Sequence, residues 1–538
     1  PATTEIYTVY KSSAASDVYK RQVLGDGGFR YLMDQGIHYT NANYQHANTE
    51  TIVGHTSLAT GSTPAGHGMV ANVWFDRELN RLAYNIEDAD YKLLTAGADV
   101  DQKSEIDPTQ KAAKVEGRSP NNILTSTLSD EMAIHFAGRS KIFAVSVKDR
   151  GAVSLAGHAG KAFWFSKASG EFVTSNYYYE QYPEWVNQWN AGKPALAYSG
   201  KAWELTHPAA KYMFGDADDK AYETDLAGFG RTFPHAYGKA GDKYFTTKLT
   251  LSPAGDELTL DFAKTLLDPE QLGQDDIPDY LSISFSSTDY VGHTFGASSL
   301  ETEDNLVRLD RTLAELFAYI EKKVGLDNTL IVLSADHGQP EVPGYMNELG
   351  IDNAHHVDTE ALDKTPIIEA LKKQFGIGEK LIEAYFHPYI YLNYEEIRKK
   401  GLDQATVERA VASELMKLDD VAYAVSSTAL RTNRLPDNLM TRSILHNFHP
   451  KRSGDIYLVF EPNVFINDFD GLTVSSTHGS IWRYDTFVPV IFAGAGLPAA
   501  RVSRLVTPYD IAPTLAAYLK IKAPSGAFGM PLQEVLDQ

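Results

Sequence analysis

The sequence predicts an α/β fold, with a largely parallel central sheet flanked by helices and carrying cap insertions. Three observations carry this expectation. Apolar runs of strand length recur along the chain and alternate with segments of helical period. Polar residues gather where those runs stop, and in open α/β folds ligands bind beyond the carboxyl ends of the strands. The 538 residues are 43% apolar, enough for a large core, and contain no internal repeat.

The elements follow in order. PATTEIYTVYKSSAASDVYKRQ (1–22) has no clear helical or strand period and reads as a non-native or artefactual leader, with one domain expected over 23–538. GFRYLMDQG (28–36) predicts a short helix closed by Gly36. HANTETIVGHTSLATGSTPAGHGMVANVW (46–74) is rich in hydroxyls and imidazoles. It carries too many chain breakers for a helix and too little alternation for a long strand, so a loop is expected, with a helix starting near Thr56. SKIFAVSVKDRG (140–151) predicts a strand ending in charge. If that strand continues, Lys148 and Arg150 project to one side. Residues 174–192 read as irregular and aromatic-rich, and 243–268 as strand-like alternation, a turn and a helix.

DYLSISFSSTDYVGH (279–293) and NTLIVLSADHG (328–338) predict buried strands. Between them Leu306, Leu309, Leu313, Leu316, Phe317 and Ile320 form one helical stripe. AYAVSS, GDIYLVFEP and VPVIFAGAGL predict further strands, and VTPYDIAPTLAAYLKI a helix. The stretches at about 155–275 and 340–470 break the rhythm and are expected to be insertions over a cleft.

Composition narrows the function. A net charge of -21 and a pI near 5.2 exclude broad electrostatic binding to nucleic acid or anionic membrane. No apolar run reaches membrane-spanning length. A local cluster of cations can still admit an anionic substrate. With no cysteine, thiol catalysis and thiolate metal sites are excluded, so any metal must be held by His, Asp, Glu or hydroxyl groups.

Three polar clusters stand out, each read as following an apolar strand: Asp289-x-x-x-His293, Asp336-His337-Gly338 and Thr477-His478-Gly479. Oxygen and imidazole donors suit a divalent ion such as zinc, and an adjacent glycine lets the backbone come close. One Asp/His pair is a weak signal. SSTDYVGH, SADHG and STHGS in this order, with TETIVGHTSLATG upstream, are a specific one. Together they resemble the alkaline phosphatase superfamily, in particular its PafA-type, threonine-nucleophile branch related to nucleotide pyrophosphatase/phosphodiesterases. The resemblance runs from Val23 to the C-terminus.

The resemblance implies two Zn2+ ions. One would be held by Asp289, His293 and His478, the other by Asp336, His337 and the hydroxyl of Thr51. Thr51 is the implied nucleophile, while Thr49, Thr56, Thr60 and Thr63 read as turn or helix-start hydroxyls. Asn72, Lys148 and Arg150 would bind phosphoryl oxygens, and the Lys-x-Arg pair implies the phosphomonoesterase branch. The implied reaction is phosphate monoester hydrolysis through a phospho-threonine, on small-molecule monoesters rather than nucleic acid or membrane, in the periplasm or outside the cell.

One departure stands out. The family has a further aspartate on the second metal, at the end of its first strand. Asp17 lies in the leader, and Asp26 and Asp34 come after that strand, so this ligand is expected to be missing along with a native N-terminal segment. The rival readings are a phosphodiesterase or nucleotide pyrophosphatase on the same scaffold, and a non-catalytic metal- or phosphate-binding protein. The sulfatase motif C/S-x-P-x-R is absent. His55, His67, His158, His355 and His356 match no ligand position and read as loop or packing residues.

Overall fold

Apolar and β-branched runs form two four-stranded sheets in the computed structural model, which describes residues 23–359, 362–466, 468–469 and 472–537. The leader expected at 1–22 lies outside the described residues. One sheet has the order Leu330–Leu333, Phe487–Gly494, Ile37–Asn43, Ala500–Val502. Phe487–Gly494 is antiparallel to both neighbours, and Ala500–Val502 is parallel to Ile37–Asn43. The other sheet runs Glu171–Val173, Lys161–Ser166, Ile142–Ser146, Tyr280–Ser284, parallel except at the Glu171–Val173 edge. The α/β fold is present, with one reversed strand in each sheet.

The helix Leu300–Lys323 begins where Ser299 accepts the Thr302 N–H. Its predicted stripe is buried together with Phe143, Leu281 and Ile283 of the second sheet.

The two expected insertions differ. Residues 155–275 are not simply inserted: they supply Lys161–Ser166, Glu171–Val173 and the helix Pro253–Leu267, whose Leu260, Phe262 and Leu266 enter the main core. The broken rhythm there comes from turn-rich chain between about 192 and 244. The strand-like text at 243–268 is two helices, Phe245–Thr250 and Pro253–Leu267. Within 174–192 the helix Glu184–Ala191 buries Trp185, Val186 and Trp189.

Within residues 340–470 the longer described strands build a sheet of their own. They form an antiparallel sheet in the order Ile382–Phe386, Tyr389–Leu392, Ile456–Phe460, Val421–Ser426. Leu371, Ile390, Val411 and Leu458 pack there in a core of their own. No helix among the described residues is long and apolar enough to cross a membrane.

Truncating the buried stripe tests this packing. Leu313→Ala should cost about 2–5 kcal/mol in urea unfolding, while Arg311→Ala on the exposed face should stay within about 0.5 kcal/mol.

Candidate active site

Thr51 opens the helix Thr51–Thr60, which corrects the expectation of a loop. Every residue of this helix is buried, so it has no polar face and leaves no amphipathic period to read. Gly54 makes its position possible, because a Cβ there would stand 1.9 Å from the Asp336 carbonyl oxygen. His55, expected to be a packing residue, puts Nδ1 3.0 Å from Asp336 Oδ2 and Nε2 2.9 Å from Ser284 Oγ. The helix therefore docks on the loop that follows Leu330–Leu333.

Asp289 and His293 sit one turn apart on the helix Ser287–Phe295, directly after Tyr280–Ser284. Asp336 and His337 follow Leu330–Leu333. His478 precedes the strand Phe487–Gly494, which corrects the expectation that each cluster follows a strand. That strand is antiparallel, with Phe487 opposite Asn43, so its start shares an edge with its neighbours' carboxyl ends.

The donors converge. One ligand atom each from Asp289, His293 and His478 lie within 4.8 Å of one another. Nε2 of His293 is 3.2 Å from Asp289 Oδ2, and that of His478 is 3.5 Å from Asp289 Oδ1. His337 Nε2 lies 3.3 Å from Asp336 Oδ2 and 3.9 Å from Asp289 Oδ1. The His337 and His478 rings stack with centroids 3.4 Å apart.

All three histidines commit Nδ1–H to a backbone carbonyl at 2.8 Å: His293 to Ser476, His337 to Gly338 and His478 to Thr49. Each ring then turns its Nε2 toward the carboxylates, which is how metal-ligating histidines are oriented. His337 Nε2 and Asp336 Oδ1 are buried with no hydrogen-bond partner among the described residues. Imidazole Nε2 atoms and carboxylates facing one another fit a divalent cation between them. Among the described residues the second group has two such residues, Asp336 and His337. Asp26 is exposed beside Arg30, Asp34 lies in the helix Phe29–Gln35, and Asp17 is outside the described residues.

The charges follow this arrangement. Burial alone would raise both carboxyls, yet His293 and Lys148 hold Asp289, and His337 and His55 hold Asp336, well below the usual range. Burial and the neighbouring His337 lower His478 to about 3, so its ring is neutral at ordinary pH.

Lys148 and Arg150, expected to bind phosphoryl oxygens, come from a different local structure than expected. The strand Ile142–Ser146 stops early, Ser146 Oγ accepts the Lys148 N–H at 3.0 Å, and the helix Asp149–Ala156 begins. Lys148 is thus an N-cap and Arg150 the second helical residue, rather than a same-side pair on a strand. Both nevertheless line one cavity of about 110 Å³ with Thr51, Asn72, His293 and His478. Lys148 Nζ lies 2.5 Å from Asp289 Oδ2 and 4.3 Å from the Tyr290 ring centroid. Arg150 donates to Asp107 at 3.1 Å, and Asp107 also accepts the Tyr290 hydroxyl at 2.9 Å. Asn72 Oδ1 accepts the Ile52 N–H at 3.0 Å.

Four residues here escaped the sequence reading: Glu50, His55, Asp107 and Asp485. Glu50 caps the Thr51 helix and accepts the Asn72 N–H at 2.5 Å; burial pushes its carboxyl up to about 7. Asp485 accepts Ser480 N and Oγ at 2.8 and 2.6 Å, while its carbonyl accepts Gly338 N at 2.7 Å. It ties the His337 loop to the His478 loop. Only His55 had a local signal, its place in TIVGH.

The family model for type I phosphodiesterase / nucleotide pyrophosphatase matches residues 14–481. The chain belongs to this family. It is 32% identical over 517 residues to alkaline phosphatase PafA of Elizabethkingia meningoseptica, covering 95% of this chain and 90% of that one. A Myroides odoratus protein named calcium-transporting ATPase is 33% identical over 517 residues, with 95% and 90% covered. The crystal structure of wild-type PafA superposes with a TM-score of 0.88 at 31% identity over 99% of both chains. A PafA variant substituted at a threonine, an asparagine, a lysine and an arginine superposes at 0.87.

Two substitutions test the geometry. Asp485→Ala should weaken divalent-metal binding about 10–100-fold in equilibrium dialysis with zinc as the probe, as loss of supporting contacts to metal ligands does. Gly54→Ala should lower both metal content and melting temperature, because the new methyl group collides with Asp336 backbone.

Proposed function

We propose that this chain is a metal-dependent phosphate monoester hydrolase that acts through a covalent phospho-threonine at Thr51. The observation that carries the reading is one cavity lined by Thr51, Asn72, Lys148 and Arg150 together with His293 and His478. The proposed ions are two Zn2+, one held by Asp289, His293 and His478 and one by Asp336, His337 and the Thr51 hydroxyl. When bound they would supply Lewis-acid stabilisation of the attacking and leaving oxygens.

The chain's own groups do the rest. Thr51 stands at a helix N-terminus, where first-turn N–H groups and the helix dipole favour an anion. With Asn72 Oδ1 committed to Ile52, its Nδ2 is the donor for a non-bridging phosphoryl oxygen. Asp107 aligns the Arg150 fork, and Lys148 adds a second cation. Two cations favour the dianion of a monoester over the monoanion of a diester. The Thr51 oxygen attacks phosphorus in line, the ester P–O bond breaks, and the alcohol leaves with a proton. Water then hydrolyses the phospho-threonine, releasing phosphate and restoring the hydroxyl.

The similarity to PafA supports the monoester reading. In the PafA variant the substituted lysine and arginine are separated by one residue, as Lys148 and Arg150 are here. The proposed substrates are small-molecule monoesters, and the proposed location is the periplasm or outside the cell. The family's description favours a second reading, phosphodiester cleavage at the same site.

Kinetics on matched aryl mono- and diesters separate the two. Lys148→Ala combined with Arg150→Ala should cost monoester kcat/KM about 100-fold or more beyond its effect on the diester. Equal losses would contradict the assignment.

A further inference from the structure

We propose that a cationic groove beside the catalytic cavity is a subsite for a second anionic group, carried on the leaving-group side of the substrate. This rests on the monoesterase reading and extends it to a substrate class. The groove, about 810 Å³, opens between the chain around residues 81–114 and the chain around residues 362–387. It meets the catalytic cavity at Pro108, Phe386, His387 and Ile466, which line both.

Lys111 and Lys114 stand on one wall, Lys364 and Lys380 on the other. Among the described residues the side chains of Lys111, Lys364 and Lys380 make no ion pair, and Lys114 Nζ donates only to the Lys111 carbonyl at 3.2 Å. Among the described residues, the acids that line the groove are Asp363 and Glu383. Asp363 is occupied by Lys372 and the backbone N–H groups of Leu381 and Ile382, which leaves Glu383. The fifth cation, Arg81, is already paired with Glu87.

This concentration stands out against a net charge of -21 for the whole chain. Long-range repulsion of a polyanion must be overcome locally, and unpaired ammonium groups on facing walls of a concave site do so by focusing the field. A neutral aryl or alkyl leaving group gains nothing from the lysines. A leaving group with a further phosphate or carboxylate, anchored by its scissile phosphoryl at Thr51, can place that charge between the two walls. The class favoured is therefore a phosphate monoester with a second anionic group, such as a sugar bisphosphate.

The test is the triple variant Lys111→Ala/Lys364→Ala/Lys380→Ala, assayed at low salt on a hexose bisphosphate and on phenyl phosphate. The variant should lose about tenfold in kcat/KM on the bisphosphate, with phenyl phosphate within about twofold, and the native preference should shrink as salt rises. Parallel losses on both substrates, or no loss on either, would overturn the subsite. A second measurement does not require turnover. Calorimetry of inorganic tripolyphosphate binding to Thr51→Ala, with and without the three lysine substitutions, should show about tenfold weaker binding without the lysines. Unchanged affinity would overturn the groove even if phenyl phosphate is hydrolysed. Absence of phenyl phosphate hydrolysis, with tripolyphosphate binding still lysine-dependent, would instead overturn the monoesterase reading alone.

Discussion

The buried carboxylate of Asp289 faces Lys148 Nζ, His293 Nε2, His478 Nε2 and His337 Nε2, at distances from 2.5 to 3.9 Å. Those four partners come from four separate segments of the chain. An isolated carboxylate this deeply buried would cost several kcal/mol, so the fold must bring the partners together for Asp289 to be there at all. Three of them come from just beyond the carboxyl end of a strand: Lys148 after Ile142–Ser146, His293 after Tyr280–Ser284 and His337 after Leu330–Leu333. His478 arrives from the start of a strand only because that strand is reversed. The antiparallel direction of Phe487–Gly494 is thus a condition of the site rather than an irregularity of the sheet.

The second constraint is steric. The Thr51 helix lies against the Asp336 backbone through Gly54, and the Asp336–His337 loop lies against Tyr484 through Gly338, where a Cβ would meet the Tyr484 carbonyl oxygen at 2.1 Å. A Cβ at either position would force these surfaces apart. Asp485 then locks the loop ends with its carboxylate and its own carbonyl. Close backbone approach and one bridging acid hold the proposed nucleophile and the proposed ligands in a single rigid frame, the preorganisation that electrostatic catalysis requires.

Much of this was legible in the sequence. Buried strands ending in Asp/His clusters, and the stripe from Leu306 to Ile320, carry periods that depend only on neighbouring residues. The residues drawn into the site by the motifs, Thr51, Asn72, Lys148, Arg150 and the five Asp and His candidates, do stand together. What stayed illegible depends on distant packing. The helix at Thr51–Thr60 is buried on every side, so its apolar and polar residues do not segregate, and Gly54 looked like a breaker instead of a contact point. The early stop at Ser146 turns on one side-chain hydrogen bond to Lys148 N, which strand propensity does not encode. Glu50, Asp107 and Asp485 are single acids without local pattern, recruited by partners elsewhere in the chain. The stretch at 155–275 read as an insertion because turn-rich chain separates its sheet strands from its core helix.

Rapid acid quench during turnover of an aryl phosphate, followed by peptide mapping, tests most directly whether Thr51 is the group that attacks. A phosphate adduct on the Thr51 peptide, absent from Thr51→Ala, is the expected result. Turnover with no covalent adduct, or an adduct on Thr49 or Thr56 instead, would contradict it.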